Sequence, residues 1–370
     1  MKIAFYFPGK PLAFKTPSGD RTIAESIIAS AKARGHIWLE MTDFRSRWFW
    51  RSFSSIAQLP IEAWKTAKRF RSFSPHVWVT YHSYYKSPDL FGWWLAAPSI
   101  PYVIIQPMRA NKRRKKARTK IGAVINDIAI RKAHLLISNN LNDLEALKAF
   151  VPGEKLCYIP PGIFPEVFSR DSAAANQLRL KLSIPDGVPV LLTVCRFREG
   201  VKWQSLAFLF DALAILSSEK TFILLVVGSG PLRSLVEHYA IERLENRVRF
   251  IGEVPHSRLF PYYSLADLFV FPGIKESLGM VYLEAQSCGC PVVALDGEGV
   301  RQVISHGETG LLVSPPVPEA YAKAISWMLD NPDVRQKMGE RAVIFVRKER
   351  NANINNLRVM EAIENLVAGR

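Results

Sequence analysis

Cysteine is scarce in this chain of 370 residues. Its four cysteines, Cys157, Cys195, Cys288 and Cys290, are scattered, and the one close pair is a C-x-C with neither a second pair nor nearby histidines. That pattern excludes a zinc ribbon and a disulfide framework and leaves buried, reduced thiols. No D-x-D and no His/Asp cluster points to a bound metal. Long apolar runs are missing as well: nothing reaches the ~20 residues of a membrane-spanning helix, and MKIAFYFPGKP at the start reads as a strand rather than a signal peptide. A cytoplasmic protein is the expectation. Acidic residues are short in one half only. Residues 1–171 hold 27 Lys and Arg against 12 Asp and Glu, and the remainder 22 against 21, so the N-terminal half carries nearly all of the net charge of +16. An anionic partner is expected there: a phosphorylated substrate, an acidic membrane surface or nucleic acid. Nucleic acid is the least supported of these, because no RNP-type, helix-turn-helix or zinc-finger pattern accompanies the charge.

What the chain does have is a regular alternation of short apolar runs and helical patterns over a length that exceeds one hydrophobic core, so two domains are expected. The second is organised around Pro272–Ala294, PGIKESLGMVYLEAQSCGCPVVA. Before it, DLFVF at 267–271 has the content of a buried strand, which Pro272-Gly273 ends. From Gly279 onward Met280, Tyr282, Leu283, Ala285 and Cys288 recur at helical intervals. Glu276 therefore falls in a turn, and Glu284 follows eight residues later inside a helix. Between them Ser277, Leu278, Gly279 and Met280 carry the amides that a helix start leaves unpaired, which suit an anion. A carboxylate repels phosphate, so both acids are read as facing hydroxyls of one ligand whose phosphates lie over those amides. Two glutamates at this spacing also arise by chance, and spacing alone does not decide.

The whole run resembles the Glu-x7-Glu segment of glycosyltransferase family 4, retaining nucleotide-sugar enzymes with two facing Rossmann-like domains, the GT-B architecture. Pro272, Glu276, Gly279, Glu284-Ala285, Cys288-Gly289 and Pro291-Val292-Val293 carry the resemblance. Other matches flank it. After the strand Pro189–Val194 come Arg196 and Lys202, which the resemblance implies hold the donor's phosphates; a planar fork and a mobile ammonium suit a diphosphate. Gly228-Ser229-Gly230-Pro231 follows the strand Thr221–Val227, and the loop Gly252-Glu253-Val254 would read the nucleobase through its backbone. A Leu-x-x-x-Tyr-x-x-Ala-Asp run ends at Asp267, and Gly307–Val313 closes the pattern. The resemblance is strong from Arg196 to Val313 and loose before Phe168.

In the N-terminal half Lys2–Phe7 reads as a strand, followed by a loop to Asp20 and a helix ending at Arg34-Gly35. Ser18, Gly19 and Asp20 are candidates for the cleft side of that loop, or only a turn. Phe44–Phe73 interleaves seven cations with Trp48, Phe49, Trp50, Phe53 and Trp64 against Glu62 alone. It is either a helix lying on anionic lipid or a core helix with a basic face. The strand His76–Tyr81 delivers His82, a sugar contact or a structural histidine, at its C-terminal end. The strand Pro101–Gln106 ends with Gln106 where the family generally has a histidine. Arg109, Lys112, Arg113, Arg114, Lys115, Lys116, Arg118 and Lys120 then form an exposed basic run, read as a dock for an anionic acceptor or membrane.

The expected architecture is α/β: an acceptor-binding domain at 1–170, a polar connection over Arg170–Gly187, a nucleotide-sugar domain at 186–345, and a helix at 346–370 returning to the first domain. The expected activity is retaining transfer of a sugar from a UDP- or GDP-sugar to a hydroxyl of an anionic or lipid-linked glycan, such as lipopolysaccharide core or capsule, at the inner membrane surface. Glu276, Arg196, Lys202 and His82 are the catalytic candidates. Gly228, Gly230, Gly252, Val254, Ser277, Leu278, Gly279, Met280 and Glu284 would bind the donor, and Gly19, Gln106 and Arg109 the acceptor side. No metal or cofactor is expected. A nucleotide-sugar epimerase or glycan phosphorylase on the same plan, and a basic membrane- or nucleic-acid-binding module without catalysis, are the alternatives.

Overall fold

The computed structural model describes residues 1–13, 19–109 and 116–369. Ser18 and the cations Lys112, Arg113, Arg114 and Lys115 lie outside the described residues. The chain forms two units, Met1–Pro161 with Asn353–Arg370, and Gly162–Ala352.

The first unit runs β1 (Lys2–Tyr6), α1 (Gly19–Ala33), β2 (Ile37–Glu40), α2 (Phe53–Phe73), β3 (Val77–Tyr81), α3 (Gly92–Leu95), β4 (Tyr102–Ile105), α4 (Ala117–Lys132), β5 (Leu135–Ser138), α5 (Leu141–Lys148) and β6 (Leu156–Tyr158). Its strands make one parallel sheet in the order β2-β1-β3-β4-β5-β6. Because side chains alternate along a strand, Ile3, Phe5, Val77 and Val79 pack one face with Ile27 and Ile28 of α1, while Ala4, Tyr6, Trp78 and Tyr102 pack the other. Both faces are covered, which is why the central strands read as unbroken apolar runs rather than alternating ones.

The second unit runs α6 (Ser172–Lys181), β7 (Val190–Val194), α7 (Val201–Ser217), β8 (Ile223–Val227), α8 (Arg233–Leu244), β9 (Val248–Gly252), α9 (Phe260–Leu265), β10 (Leu268–Val270), α10 (Met280–Ser287), β11 (Val292–Leu295), β12 (Gly310–Val313), α11 (Pro318–Asp330) and α12 (Pro332–Glu349). Its parallel sheet has the order β12-β11-β10-β7-β8-β9. In each sheet the chain reverses its direction of travel once, between β1 and β3 and between β7 and β10. Such a switch leaves a crevice beyond the C-terminal strand ends, where ligands of open α/β sheets bind.

The last helix, α13 (Ala352–Ala368), returns to the first unit. Val359, Met360 and Ile363 join the core beside α1, and Glu364 meets Arg34 at 2.7 Å and His36 at 2.6 Å.

Two readings of the sequence need correction. The polar segment Arg170–Gly187 is not a plain connection: Asp171 accepts from the Ala174 amide at 2.9 Å and caps α6, whose Ala175 is buried in the second core. The first unit is left instead at Pro161, ahead of the expected boundary. Asn331 separates α11 from α12, because Pro332 fits the first turn of a new helix but not the interior of an old one. The final helix, read over 346–370, is two: α12 runs on to Glu349 and α13 starts at Ala352. The Ile163 amide donates to the Arg350 carbonyl at 2.9 Å and the Ala352 amide to Ile163 at 2.7 Å, a strand-like bridge that takes these residues out of helical geometry.

Candidate active site

The second sheet's switch point gathers most of the candidates. From β7 the chain passes Arg196 and Gly200, whose φ of 80° starts α7, and so puts Lys202 in the helix's first turn. From β10 it passes Gly273, with φ 68°, into the turn that holds Glu276. Lys202 Nζ donates to Glu276 Oε2, joining residues that lie 74 positions apart. Their side chains are only 23% and 17% exposed, and Lys202 also sits 4.9 Å above the Phe271 ring. The Ile274 amide donates to Ser205 Oγ at 3.0 Å, a second tie between α7 and the same turn. Arg196 is exposed and makes no ion pair or side-chain hydrogen bond among the described residues. A paired lysine and a free guanidinium thus share one strand end.

The glycines explain how the main chain comes so near. A Cβ on Gly228 would lie 1.9 Å from the Cys195 carbonyl oxygen, and one on Gly230 2.4 Å from that of Phe197, so any side chain would push the loop after β8 off the end of β7. Gly228 donates to the carbonyl of Gly252, which has φ 85°, at 2.8 Å. Val254 is partly buried against the core of the same unit. Gly279 has φ 71° and stands immediately before α10, where a Cβ would strike Tyr282 at 2.4 Å. The amides of Leu278, Gly279 and Met280 make no hydrogen bond among the described residues. Ser277, next to them, is exposed.

Glu284 is 4% exposed and already held at both oxygens: Tyr263 Oη donates to Oε2 at 2.8 Å, and His256 Nε2 lies 2.9 Å from Oε1. The hydrogen bond that His256 donates to Glu284 is the main cause that raises the His256 pKa above its ordinary 6.5. Sequence reasoning missed His256 and gave Tyr263 only a place in a motif. It also missed Gly299, whose absent side chain lets the Glu276 and Ser277 carbonyls approach; a Cβ there would lie 2.2 and 2.3 Å from their oxygens. The Gly297-Glu298-Gly299 triplet was the signal available.

Residues 175–343 match the family described as glycosyl transferases group 1. The second unit is similar to that family over most of its length. The D-inositol 3-phosphate glycosyltransferase of Corynebacterium glutamicum is 32% identical over 203 residues, 52% of this chain and 48% of that protein. D-inositol 3-phosphate glycosyltransferase 2 of Catenulispora acidiphila is 30% identical over 284 residues, 71% of this chain and 65% of that protein. The chain therefore spans between about half and two thirds of the length of these relatives. In fold it resembles the Anabaena HepE protein, solved in complex with UDP, with a TM-score of 0.76 at 19% identity over 99% of this chain and 100% of that one. Two Rossmann-like parallel sheets with the C-terminal helix returned to the first follow the GT-B plan.

The family match lies wholly inside the second unit, and the first-unit candidates stand on geometry alone. His82 and Gln106 directly follow β3 and β4, and both adopt left-handed backbone, with φ 58° and 54°. Non-glycine residues held this way store strain. Their amides donate to Ile105 and Ile137, each at 2.8 Å, and Gln106 Oε1 is buried without a hydrogen-bond partner among the described residues. Gly19 opens α1, away from these two in sequence. Arg109 does not belong to the exposed basic run: its side chain is 9% exposed, pairs with Asp127 at 3.3 Å and stacks 3.7 Å over Phe150. Burial among apolar neighbours with one carboxylate in reach holds it inside the fold. Sequence reasoning also missed a cavity of about 380 Å³ beyond the C-terminal end of β2, lined by Glu40, Thr42, Asp43, Glu62 and Arg69 among others. Burial raises the Glu40 carboxyl above its usual range.

Proposed function

We propose that the chain is a retaining glycosyltransferase that moves a sugar from a nucleoside-diphosphate sugar to a hydroxyl of an anionic or lipid-linked glycan. The observation that carries the reading is the Lys202–Glu276 pair closed across the second sheet's switch point, beside a free Arg196 and glycine loops that bring main-chain amides to the same place. The curated relatives support a sugar transferase and, by their names, an acceptor that bears phosphate, which suits the basic first unit.

In this reading the donor's diphosphate lies against Arg196, Lys202 and the amides of Leu278–Met280. As the bond from the sugar's anomeric carbon to the phosphate oxygen breaks, negative charge grows on the leaving group. Fixed cations and amides meet that charge without having to reorganise, which is commonly the largest catalytic contribution. The acceptor oxygen forms its bond on the same face, and its proton passes to the departing phosphate, so no covalent nucleophile is needed. Glu276, oriented by Lys202, would hold sugar hydroxyls. Glu284, oriented by His256 and Tyr263, would accept from the ribose with the lone pairs those two leave free. His82 and Gln106 would serve the acceptor side, and the transfer would take place at the cytoplasmic membrane face.

A thermal-shift screen against UDP-, GDP- and ADP-sugars, followed by an assay for free nucleoside diphosphate with and without acceptor, tests this. A stabilising donor whose diphosphate is released supports transfer. No shift from any nucleotide sugar would end the reading, and an altered sugar still attached to its nucleotide would favour the epimerase instead.

A further inference from the structure

The helix α2 is apolar on two sides. Its inner side packs Leu59, Ala63, Phe70 and Phe73 against the first sheet's core, as an amphipathic helix does. Helical spacing turns Phe53, Ile61 and Trp64 away from that inner side and leaves Pro60 and Ile56 on the flank between the two. Of these, Phe53 is 88% exposed, Trp64 64%, Ile61 56% and Ile56 47%. An apolar ridge of this kind on an otherwise charged surface marks an interaction site. Further along the same side come Lys68 and Arg71, with Lys68 Nζ 5.4 Å from the Trp64 ring centre. At the helix's start Arg51 and Arg118 both lie over Trp48, at 5.5 and 5.8 Å, so the basic beginning of α4 adjoins the ridge. The single acid of this segment, Glu62, is committed to Lys65 at 3.0 Å and to Thr42 at 3.3 Å.

We propose that this side of α2 is a docking surface for an anionic lipid bilayer. Phe53, Ile56, Ile61 and Trp64 enter the boundary between headgroups and acyl chains, while Arg51, Lys68 and Arg71 meet lipid phosphates. Charge selects the occupant. A second copy of this chain would press one basic rim against another, and like charges facing each other oppose association, whereas acidic lipid complements the rim along its whole length. The proposal gives the membrane contact of the preceding reading a location, but it does not require sugar transfer.

The whole protein is sedimented with phosphatidylcholine vesicles with and without phosphatidylglycerol, with no sugar donor present. Binding should require phosphatidylglycerol and weaken as salt rises, since salt screens exposed charge. Replacing Phe53→Ser with Trp64→Ser should weaken partition by about tenfold or more, and Lys68→Glu with Arg71→Glu should remove the preference for acidic vesicles. All four side chains are solvent-exposed, so unchanged circular dichroism and melting show that the fold is intact. Glu276→Gln should bind vesicles as the parent does, which separates failure of the catalytic reading from failure of this one. Wild-type protein that ignores acidic vesicles, binding indifferent to Phe53→Ser with Trp64→Ser, or a concentration-dependent dimer that the same pair abolishes would each overturn the proposal.

Discussion

The two sheets finish their strands by different means. In the second, the residues beyond β7, β8 and β10 are shaped by Gly200, Gly228, Gly230, Gly273 and Gly279, all at positive φ. In the first, the corresponding ends of β3 and β4 are His82 and Gln106, held at positive φ with their side chains attached. A glycine end presents main chain, which any nucleotide diphosphate can use. A side-chain end presents one imidazole or one amide, which suits one particular acceptor. The charge follows the same division, near neutral in the second half and strongly positive in the first.

If chemistry resides in the second unit, the largest effect belongs to Glu276→Gln. Turnover should fall by about two to four orders of magnitude, the range seen when a positioned acid-base or charge-stabilising group is removed, while the melting temperature stays close to the parent's. His82→Ala, by contrast, should act mainly on the acceptor KM. A near-normal rate for Glu276→Gln would break the comparison, and steady-state kinetics with both variants decides it.

Next in size is the close approach itself. Gly228→Ala places a methyl 1.9 Å from the Cys195 carbonyl oxygen at φ 138°, whereas Gly35→Ala, at φ 75°, meets nothing within 4 Å. The first should cost about 3 kcal/mol, through steric overlap added to backbone strain. The second should cost only about 1 kcal/mol, the penalty of a left-handed Ala. Denaturant unfolding measures both, and equal losses would mean that the loop after β8 relaxes freely.

This asymmetry also explains what the sequence made legible. Glycine loops at strand ends leave spaced motifs, so the turn at Glu276, the α10 start after Gly279 and the strand end at Arg196 could be read directly. Parallel strands buried on both faces could be read as apolar runs. What stayed hidden depends on contacts made over long sequence distances. Arg109 looks like one more cation in a basic run until Asp127 and Phe150 are found beside it. The bridge of Ile163 to Arg350 and Ala352 breaks a charged helical pattern at a point where neither Gly nor Pro marks it. His256 gave no sign because its partner, Glu284, lies 28 residues away.

His256→Ala tests that contact, with a smaller effect. Glu284 should lose one of its two holders, raising the donor KM by about three- to tenfold with kcat little changed. The folded pKa of His256 is raised above 6.5, chiefly by the Glu284 hydrogen bond. The protonated imidazole's contribution is therefore complete below 6.5 and is lost as pH rises through the folded value. The gap between parent and variant should accordingly be widest in mild acid and shrink toward alkaline pH. A gap that widens with pH would show that His256 acts as a neutral group.

The smallest expected effect tests whether α13 is held to the first unit by its core or by its charges. Glu364 binds Arg34 through two oxygens, at 2.9 and 2.7 Å, and His36 at 2.6 Å. The Arg34 hydrogen bond leads the causes that lower its carboxyl from 4.5 to about 2. A depressed carboxylate stabilises above its unfolded pKa, and that stability fades as pH falls through the folded one. Glu364→Gln should therefore lower the melting temperature slightly at neutral pH, and its difference from the parent should close between about pH 4.5 and pH 2. The pair is accessible to solvent, so salt and water weaken it. Met360, fully buried in the same helix, should matter more, with Met360→Ala costing about 2–5 kcal/mol. If Glu364→Gln proves the more damaging of the two, the returning helix is fastened by its ion pairs, and the first unit's charge contributes to its fold as well as to its partners.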